Sequence, residues 1–522
     1  MSRAVSSKLE PFAPFERQHW IWILVATALA AALRLYGLGE WSFWVDEGHT
    51  WRDATMPLTG ESGFLATDRV RYGVPFLMLR LLLGLGVTGY DEASIRLPFA
   101  VIGVLTVPVM ALCGRRLVGA WPAVVSAMLL AIDPWHIFWS QNARGYGLAL
   151  LMCVIAIHRA YRWRETARLF DLFVLMLSAG LAATSHPTAL MLTGAFLGYL
   201  GVRSVLFRAS APGPRAVLFV ASVILLALVG LPYLIGVLAE RDLLPFGDFM
   251  RAKANPSLRH FVETTLFYFR PTCLLAFVLA MVLASRIVGR DRGLYLTCMA
   301  VVPLLVLAGV SASLVKVTAR YGLCALPVVT WLIAALVVFL GKRFRGVSMP
   351  LALLLPLVIG ADSLRVDVDY FTTQHGQRAR WREASMFVRE EAARRGLDGV
   401  FAVTVNEPAM EYYLRPKNWF LMDHDPHPGY RVRVLLGLTI NSGTTTEGEK
   451  LHDPGASPHL DWLRKQCGPQ KLLAVLVTLP ELREQDPSGE FEALLKSQFE
   501  LALHLPCWVG PKDESVYVYL PK

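Results

Sequence analysis

Leu97–Cys113 reads LPFAVIGVLTVPVMALC, seventeen residues without a charge, followed at once by Gly114-Arg115-Arg116. A run of that length crosses the hydrocarbon core of a bilayer as a helix. Arginines directly behind it mark the cytoplasmic end, because short loops rich in Lys and Arg stay inside. The same unit recurs along the chain. Spans are expected near 20–38, 97–113, 121–138, 147–161, 170–184, 188–205, 216–238, 272–285, 293–310, 322–340 and 347–363. The fold class read from this pattern is a polytopic α-helical membrane protein with about eleven transmembrane helices.

The loops between these runs alternate in charge. One set holds Arg3, Lys8 and Arg17; Arg115 and Arg116; Arg159, Arg162, Arg164 and Arg168; Arg203, Arg208 and Arg215; Arg286, Arg290 and Arg292; and Lys342, Arg343 and Arg345. Its acids are Glu10, Glu16, Glu165 and Asp291, so this set is placed in the cytoplasm, with the N-terminus. The other set, 39–96, 139–146, 185–187, 239–271, 311–321 and 362–522, faces outward. Counting 74–88 as a span would invert every later loop, so Pro75–Leu85 is read as an amphipathic helix lying on the outer surface. The first span resembles a signal sequence, but Ala28-Leu29-Ala30 lies inside the apolar run, which favours an uncleaved anchor.

Composition agrees. Of 522 residues 54% are hydrophobic, too many for a soluble chain of this size. The net charge of +10 sits in the inner loops, so no nucleic-acid partner is expected. The seven cysteines include no CxxC pair, which leaves no zinc framework. From about Asp362 onward no apolar block remains. The expected division is a membrane domain over 1–363 and a soluble extracytoplasmic α/β domain over 364–522. In the latter, 381–395 has a helical pattern ending at Gly396, and 399–405, 471–478 and 515–520 read as strands. Cys467 and Cys507 are the two cysteines that could pair there.

The polar residues of the outer loops carry the chemistry. The first loop begins Glu40-Trp41-Ser42-Phe43-Trp44-Val45-Asp46-Glu47-Gly48-His49, two adjacent carboxylates among interfacial tryptophans. Glu92 and Arg96 precede the second span, and Asp133-Pro134-Trp135-His136 closes the third. Ser140-Gln141-Asn142-Ala143-Arg144-Gly145-Tyr146 follows, then Ser185-His186-Pro187, then Lys316, Arg320 and Tyr321. Each alone has a structural reading, such as a helix cap, a snorkelling arginine or a satisfied histidine. Their gathering on one side of the membrane, at the ends of several spans, is what marks a site. It suits transfer of a sugar from a lipid phosphate to a hydroxyl. A carboxylate takes the acceptor proton and also stabilises the oxocarbenium-like centre, while cations hold the departing phosphate.

Several of these stretches resemble the C-type glycosyltransferase superfamily, in the family that groups protein O-mannosyltransferases with the lipid A aminoarabinose transferase. They are Arg34-Leu35-Tyr36 with Trp44-Val45-Asp46-Glu47; Gly73-Val74-Pro75-Phe76; Glu92-Ala93-Ser94-Ile95-Arg96-Leu97-Pro98; Asp133-Pro134-Trp135-His136 with the 140–146 segment; Thr318-Ala319-Arg320-Tyr321; and Trp381-Arg382-Glu383-Ala384. The resemblance implies a polyprenyl-phosphate sugar as donor, a glycan, lipid or protein acceptor, and a plasma (inner) membrane location. It implies that Asp46 is the catalytic carboxylate and Glu47 its partner in acceptor or cation binding. Arg144 and Arg320 are assigned to the phosphate on charge and placement. Arg96, Tyr146, His186 and Tyr321 complete the expected substrate-binding set. A divalent cation at Asp46, Glu47 and His49 is left open, since no spacing demands it. The chain departs from the family at Arg71-Tyr72-Gly73-Val74-Pro75, where relatives often carry His-Pro-Pro.

Two other function classes compete. A transporter or flippase of lipid-linked saccharides would place its ionisable groups at mid-span, and a scaffold would need no acids and arginines at one interface. Neither the sugar nor the acceptor is legible.

Overall fold

A computed structural model describes residues 14–60, 63–206, 256–343, 349–414, 430–434, 443–444, 450–451, 456–486, 488–509 and 512–522. The expected span at 216–238 and the first part of the outer loop 239–271 lie outside them. The chain opens with helices α1 (Arg17–Leu35), α2 (Val45–Thr55), α3 (Val74–Gly84) and α4 (Glu92–Val118). Next come α5 (Ala120–Ala131), α6 (Pro134–Ser140), α7 (Tyr146–Thr166), α8 (Leu169–Ser185) and α9 (Met191–Leu206). Then follow α10 (Leu258–Phe269), α11 (Pro271–Ile287), α12 (Arg290–Ser313), α13 (Leu326–Arg343) and α14 (Met349–Thr372).

Among the described residues five helical segments are long and apolar enough to cross a membrane, or seven if each of two bent pairs counts as one span. The expected eleven are not all of that kind. α8 is apolar but has 17 residues. α7 ends in Arg159, Arg162 and Arg164, and α14 continues into Asp362, Arg365, Asp367 and Asp369, so it runs through the expected boundary at 363. The expected single span at 121–138 is broken between α5 and α6 by 63°. The cause is local: the Asp133 carboxylate accepts the backbone N–H of His136 at 2.8 Å, and Pro134 supplies no N–H to continue α5. α10 and α11 meet at 92°. α3 is a helix where one was expected, and its 11 residues are too few to cross a bilayer.

The arginine-rich ends act as cross-helix ties. Asp291 at the start of α12 takes Arg164 at 2.8 Å and Arg203 at 2.9 Å, with the Tyr199 hydroxyl donating at 2.9 Å. Asp171 holds Arg159 at 2.7 Å. These ties lie about five turns along α7 from Tyr146, at the opposite end of the bundle.

Beyond α14 lies a small mixed sheet of β1 (Gly399–Thr404), β2 (Tyr430–Val434), β3 (Lys471–Thr478), β4 (Phe499–Leu505) and β5 (Val516–Pro521). Its order is β2-β1-β3-β5-β4, parallel across the first three and antiparallel around β5. The sheet is covered on both faces. Val400, Ala402 and Ala474 pack against α15 (Trp381–Arg394) and α16 (Glu407–Leu414). Phe401, Val403 and Val475 pack against α17 (Ala456–Cys467) and α19 (Glu490–Gln498), with α18 (Leu479–Gln485) between β3 and α19. β1 is therefore buried throughout, as parallel strands with two covered faces are. Cys467 and Cys507 are both free and buried; their thiols lie against the carbonyls of Lys471 and Arg378 respectively.

Candidate active site

The loop after α1 turns into α2 at Trp44, which sets Asp46 and Glu47 in the first turn of a helix. That position favours negative charge, because the unpaired N–H groups of the turn point at it. Consecutive helical residues diverge by about 100°, so the two carboxylates face different surroundings. Asp46 opens onto a cavity of about 410 Å³ that Arg144, Tyr146, His186, Arg320 and Tyr321 also line. Six of the eight expected site residues thus come together, from α2, the α6–α7 turn, the α8 end and the segment before α13.

Arg144 closes one side. Its Nε lies 3.9 Å from the Asp46 carboxylate, and its Nη1 donates to the Asp46 carbonyl at 3.3 Å and to Thr50 Oγ1 at 3.4 Å. Arg320 closes another. Its guanidinium sits 5.5 Å from the Trp44 ring centroid and 5.1 Å from that of Tyr321, with Nη2 donating to the Tyr321 hydroxyl at 3.2 Å. Its Nε is buried and finds no hydrogen-bond acceptor among the described residues. Behind the cations runs a column of rings: Trp139 on Tyr146 at 3.7 Å, Tyr146 on His186 at 4.2 Å, His186 on Tyr321 at 5.8 Å.

Burial alone would raise the Asp46 pKa, but the neighbouring cations, Arg144 first and then Arg320, outweigh it and hold the carboxyl below its ordinary range. Asp46 is therefore an anion at neutral pH. His186 is pushed down to about 3 by burial and by the two arginines, so it is neutral and contributes a polar ring rather than a charge.

Two expected site residues are elsewhere. Glu47 is fully buried and faces away from the cavity, bound by Arg96 at 2.7 Å and Arg378 at 3.2 Å. Arg96, 1% exposed, spends its remaining donors on the carbonyls of Leu38, Trp41 and Ser42. Neither is among the described residues lining the cavity, and the two pair with each other. The possible cation at Asp46, Glu47 and His49 is not matched either: no three such side chains gather among the described residues, and His49 Nδ1 is engaged by Arg52 at 3.0 Å. Sequence reasoning missed Tyr72 and Phe76, which line the cavity just where the chain departs from the His-Pro-Pro pattern. It also missed Arg378, three residues before the Trp381-Arg382 motif; nothing local distinguishes it from the neighbouring arginines.

Residues 74–233 match the family model described as dolichyl-phosphate-mannose-protein mannosyltransferase. ArnT from Cupriavidus metallidurans, in the apo state, superposes with a TM-score of 0.58 at 14% identity, over 96% of this chain and 98% of that one. The fold is that of the C-type glycosyltransferases. The same ArnT bound to undecaprenyl phosphate gives a TM-score of 0.58 at 12% identity, over 95% and 97% of the two chains. The oligosaccharyltransferase of Archaeoglobus fulgidus in its apo form gives 0.58 at 11% identity, over 97% of this chain and 74% of that one. No curated protein matches significantly. The resemblance drawn from the motifs therefore holds at the level of the C-type glycosyltransferase fold, and the cavity at Asp46 lies within it.

Proposed function

We propose that this chain is an integral membrane glycosyltransferase that moves a sugar from a polyprenyl-phosphate donor to a hydroxyl acceptor on the outer face of the membrane. The observation that carries the reading is the cavity in which one carboxylate, Asp46, stands among Arg144 and Arg320. The acceptor oxygen attacks the anomeric carbon while Asp46 takes its proton. The bond from that carbon to the phosphate oxygen breaks, and the electron pair leaves with the phosphate into the field of Arg144 and Arg320. The buried, unpartnered Nε of Arg320 is a donor ready for such an oxygen. Asp46 is the one carboxylate among the described residues lining the cavity, and as the base it serves a single displacement in which the acceptor oxygen bonds as the phosphate oxygen leaves. The ArnT structure with undecaprenyl phosphate supports a lipid-phosphate donor by likeness of fold.

In this reading the N-terminus is cytoplasmic, the bundle stands in the inner membrane, and the part from 364 to 522 is an extracytoplasmic domain. The carboxylate and cations lie at helix ends rather than at mid-span, which disfavours the flippase alternative. The test is direct: purified protein is given labelled polyprenyl-phosphate sugars and a membrane extract, and release of sugar from its lipid is followed. Movement of intact lipid-linked sugar across vesicles without release would replace this reading with transport.

A further inference from the structure

Glu47 stands one residue from Asp46, and its carboxylate accepts five hydrogen bonds. They come from Arg96 Nε (2.7 Å) and Nη2 (2.8 Å), Arg378 Nε (3.2 Å), the backbone N–H of Trp44 (3.1 Å) and that of Ala143 (3.0 Å). The last two set the geometry. Trp44 begins the turn that carries Asp46, and Ala143 immediately precedes Arg144. One buried carboxylate therefore fixes the backbone beneath both the acid and the cation of the cavity. Arg378 completes the arrangement from the far side. It is 2% exposed and also donates to the carbonyls of Gln141 (2.8 Å) and Gly376 (2.9 Å) and to the Tyr370 hydroxyl (3.1 Å).

Arg378 lies in the segment that leads from α14 into the sheet region, and the contacts around it are continuous. Arg382 donates to the carbonyls of Gly39, Glu40 and Trp41, and pairs with Glu92 at 2.9 Å. The Phe43 N–H donates to the Tyr413 hydroxyl at 2.6 Å. A Cβ on Gly48 would stand 2.8 Å from the Ala409 nitrogen, so α2 touches the start of α16 with no space for a side chain. The loop bearing Asp46 is thus pressed from behind by the C-terminal part.

We propose that Arg378 is a positioning residue for sugar transfer: through Glu47 and the Gln141 carbonyl it holds Asp46 and Arg144 in register, so that the C-terminal part sets the catalytic loop. This rests on the transfer reading above. The planar guanidinium donates from Nε to Glu47 and from Nη2 to the Gln141 carbonyl, which specifies direction as well as distance, and a lysine does not reproduce both contacts. The transition state is sensitive to such placement in a way that donor binding is not, since both cations remain to meet the phosphate.

The experiment uses the full chain with Arg378→Gln, Arg378→Lys and Gly48→Ala, reading hydrogen exchange of the 43–48 and 141–145 segments beside turnover and donor affinity. Arg378→Gln is expected to speed exchange in both segments by tenfold or more, lower kcat by at least tenfold and move donor affinity by less than threefold. Arg378→Lys should recover part of the kcat. Gly48→Ala, which leaves Glu47 and its partners intact but wedges α2 from residue 409, should lower kcat in the same direction, and it remains a test if Arg378→Gln does not fold. In an Asp46→Asn background Arg378→Gln should add clearly less than its full loss, since part of its effect passes through Asp46. Unchanged exchange and turnover, or a loss that multiplies fully with Asp46→Asn, would overturn the proposal. Loosened segments in a protein whose wild type releases no sugar would retire the transfer reading and leave the clamp as architecture alone.

Discussion

Replacing Asp46 by Asn removes a charge while keeping size and hydrogen-bonding capacity. The structure separates what this should do to stability, to binding and to chemistry. The Asp46 side chain is 24% exposed, and its ion pair with Arg144 is long at 3.9 Å. A partly solvated pair of that length contributes about 0–1 kcal/mol, so the thermal midpoint should shift little. Donor affinity should hold or rise, because Arg144 and Arg320 lose a competing anion. Chemistry should collapse. An amide does not take the acceptor proton, and general-base catalysis is worth about 10²–10⁴ in rate, or about 3–5 kcal/mol of barrier. The assay is single-turnover release of labelled sugar from its polyprenyl phosphate, beside direct donor binding and thermal unfolding on the same sample. Tight donor binding, normal stability and turnover down by at least a hundredfold is the expected triple. Turnover within tenfold of wild type, at unchanged stability, would refute Asp46 as the base.

Arg144→Ala and Arg320→Ala should each weaken donor binding about tenfold to a hundredfold, the weight of a charge-assisted hydrogen bond; unchanged binding in both would empty the phosphate site. His49 and His186 are each pushed down to about 3 from 6.5, so both stay neutral in the folded chain while an unfolded chain would protonate them. Their contribution is full above about pH 6.5 and declines as pH falls towards 3, by up to about 1.4 kcal/mol per unit for each; the midpoint should therefore fall on acidification, and less steeply in His186→Gln. Cysteines placed at Ser488 and Arg290 should label from outside and from inside respectively; label reaching Ser488 only after permeabilisation would invert the topology.

What was legible in the sequence follows from how each signal is encoded. Spans and charge alternation are written in runs of neighbouring residues, so helices stand at the described positions where the apolar blocks predicted them. The errors are local. Asp133-Pro134 breaks a run that hydropathy alone reads as continuous, because one carboxylate captures an N–H and one proline withholds another. α14 passes the expected boundary at 363 because a helix does not end where its side chains turn polar. Strands at 399–404 and 471–478 were readable because both faces are covered and the apolar runs are unbroken.

The site was legible as a gathering of residue types and illegible as a division of roles. Asp46 and Glu47 are adjacent carboxylates, and nothing in their order says which one faces a ligand. Only the helical turn beginning at Trp44 separates them, sending one to Arg144 and the cavity and the other to Arg96. Arg96 and Arg144 are likewise both arginines near helix ends. The first is committed to three backbone carbonyls and a buried carboxylate; the second touches Asp46 at long range and lines open space. Burial separates the two, and the buried Glu47 takes a partner, Arg378, more than 300 residues away in the chain. A pair written side by side in sequence is split by the helical turn, and one member is then held by a partner far along the chain. Turnover should therefore respond to substitutions at 378 and 46 through one shared geometry, while donor binding responds chiefly to 144 and 320.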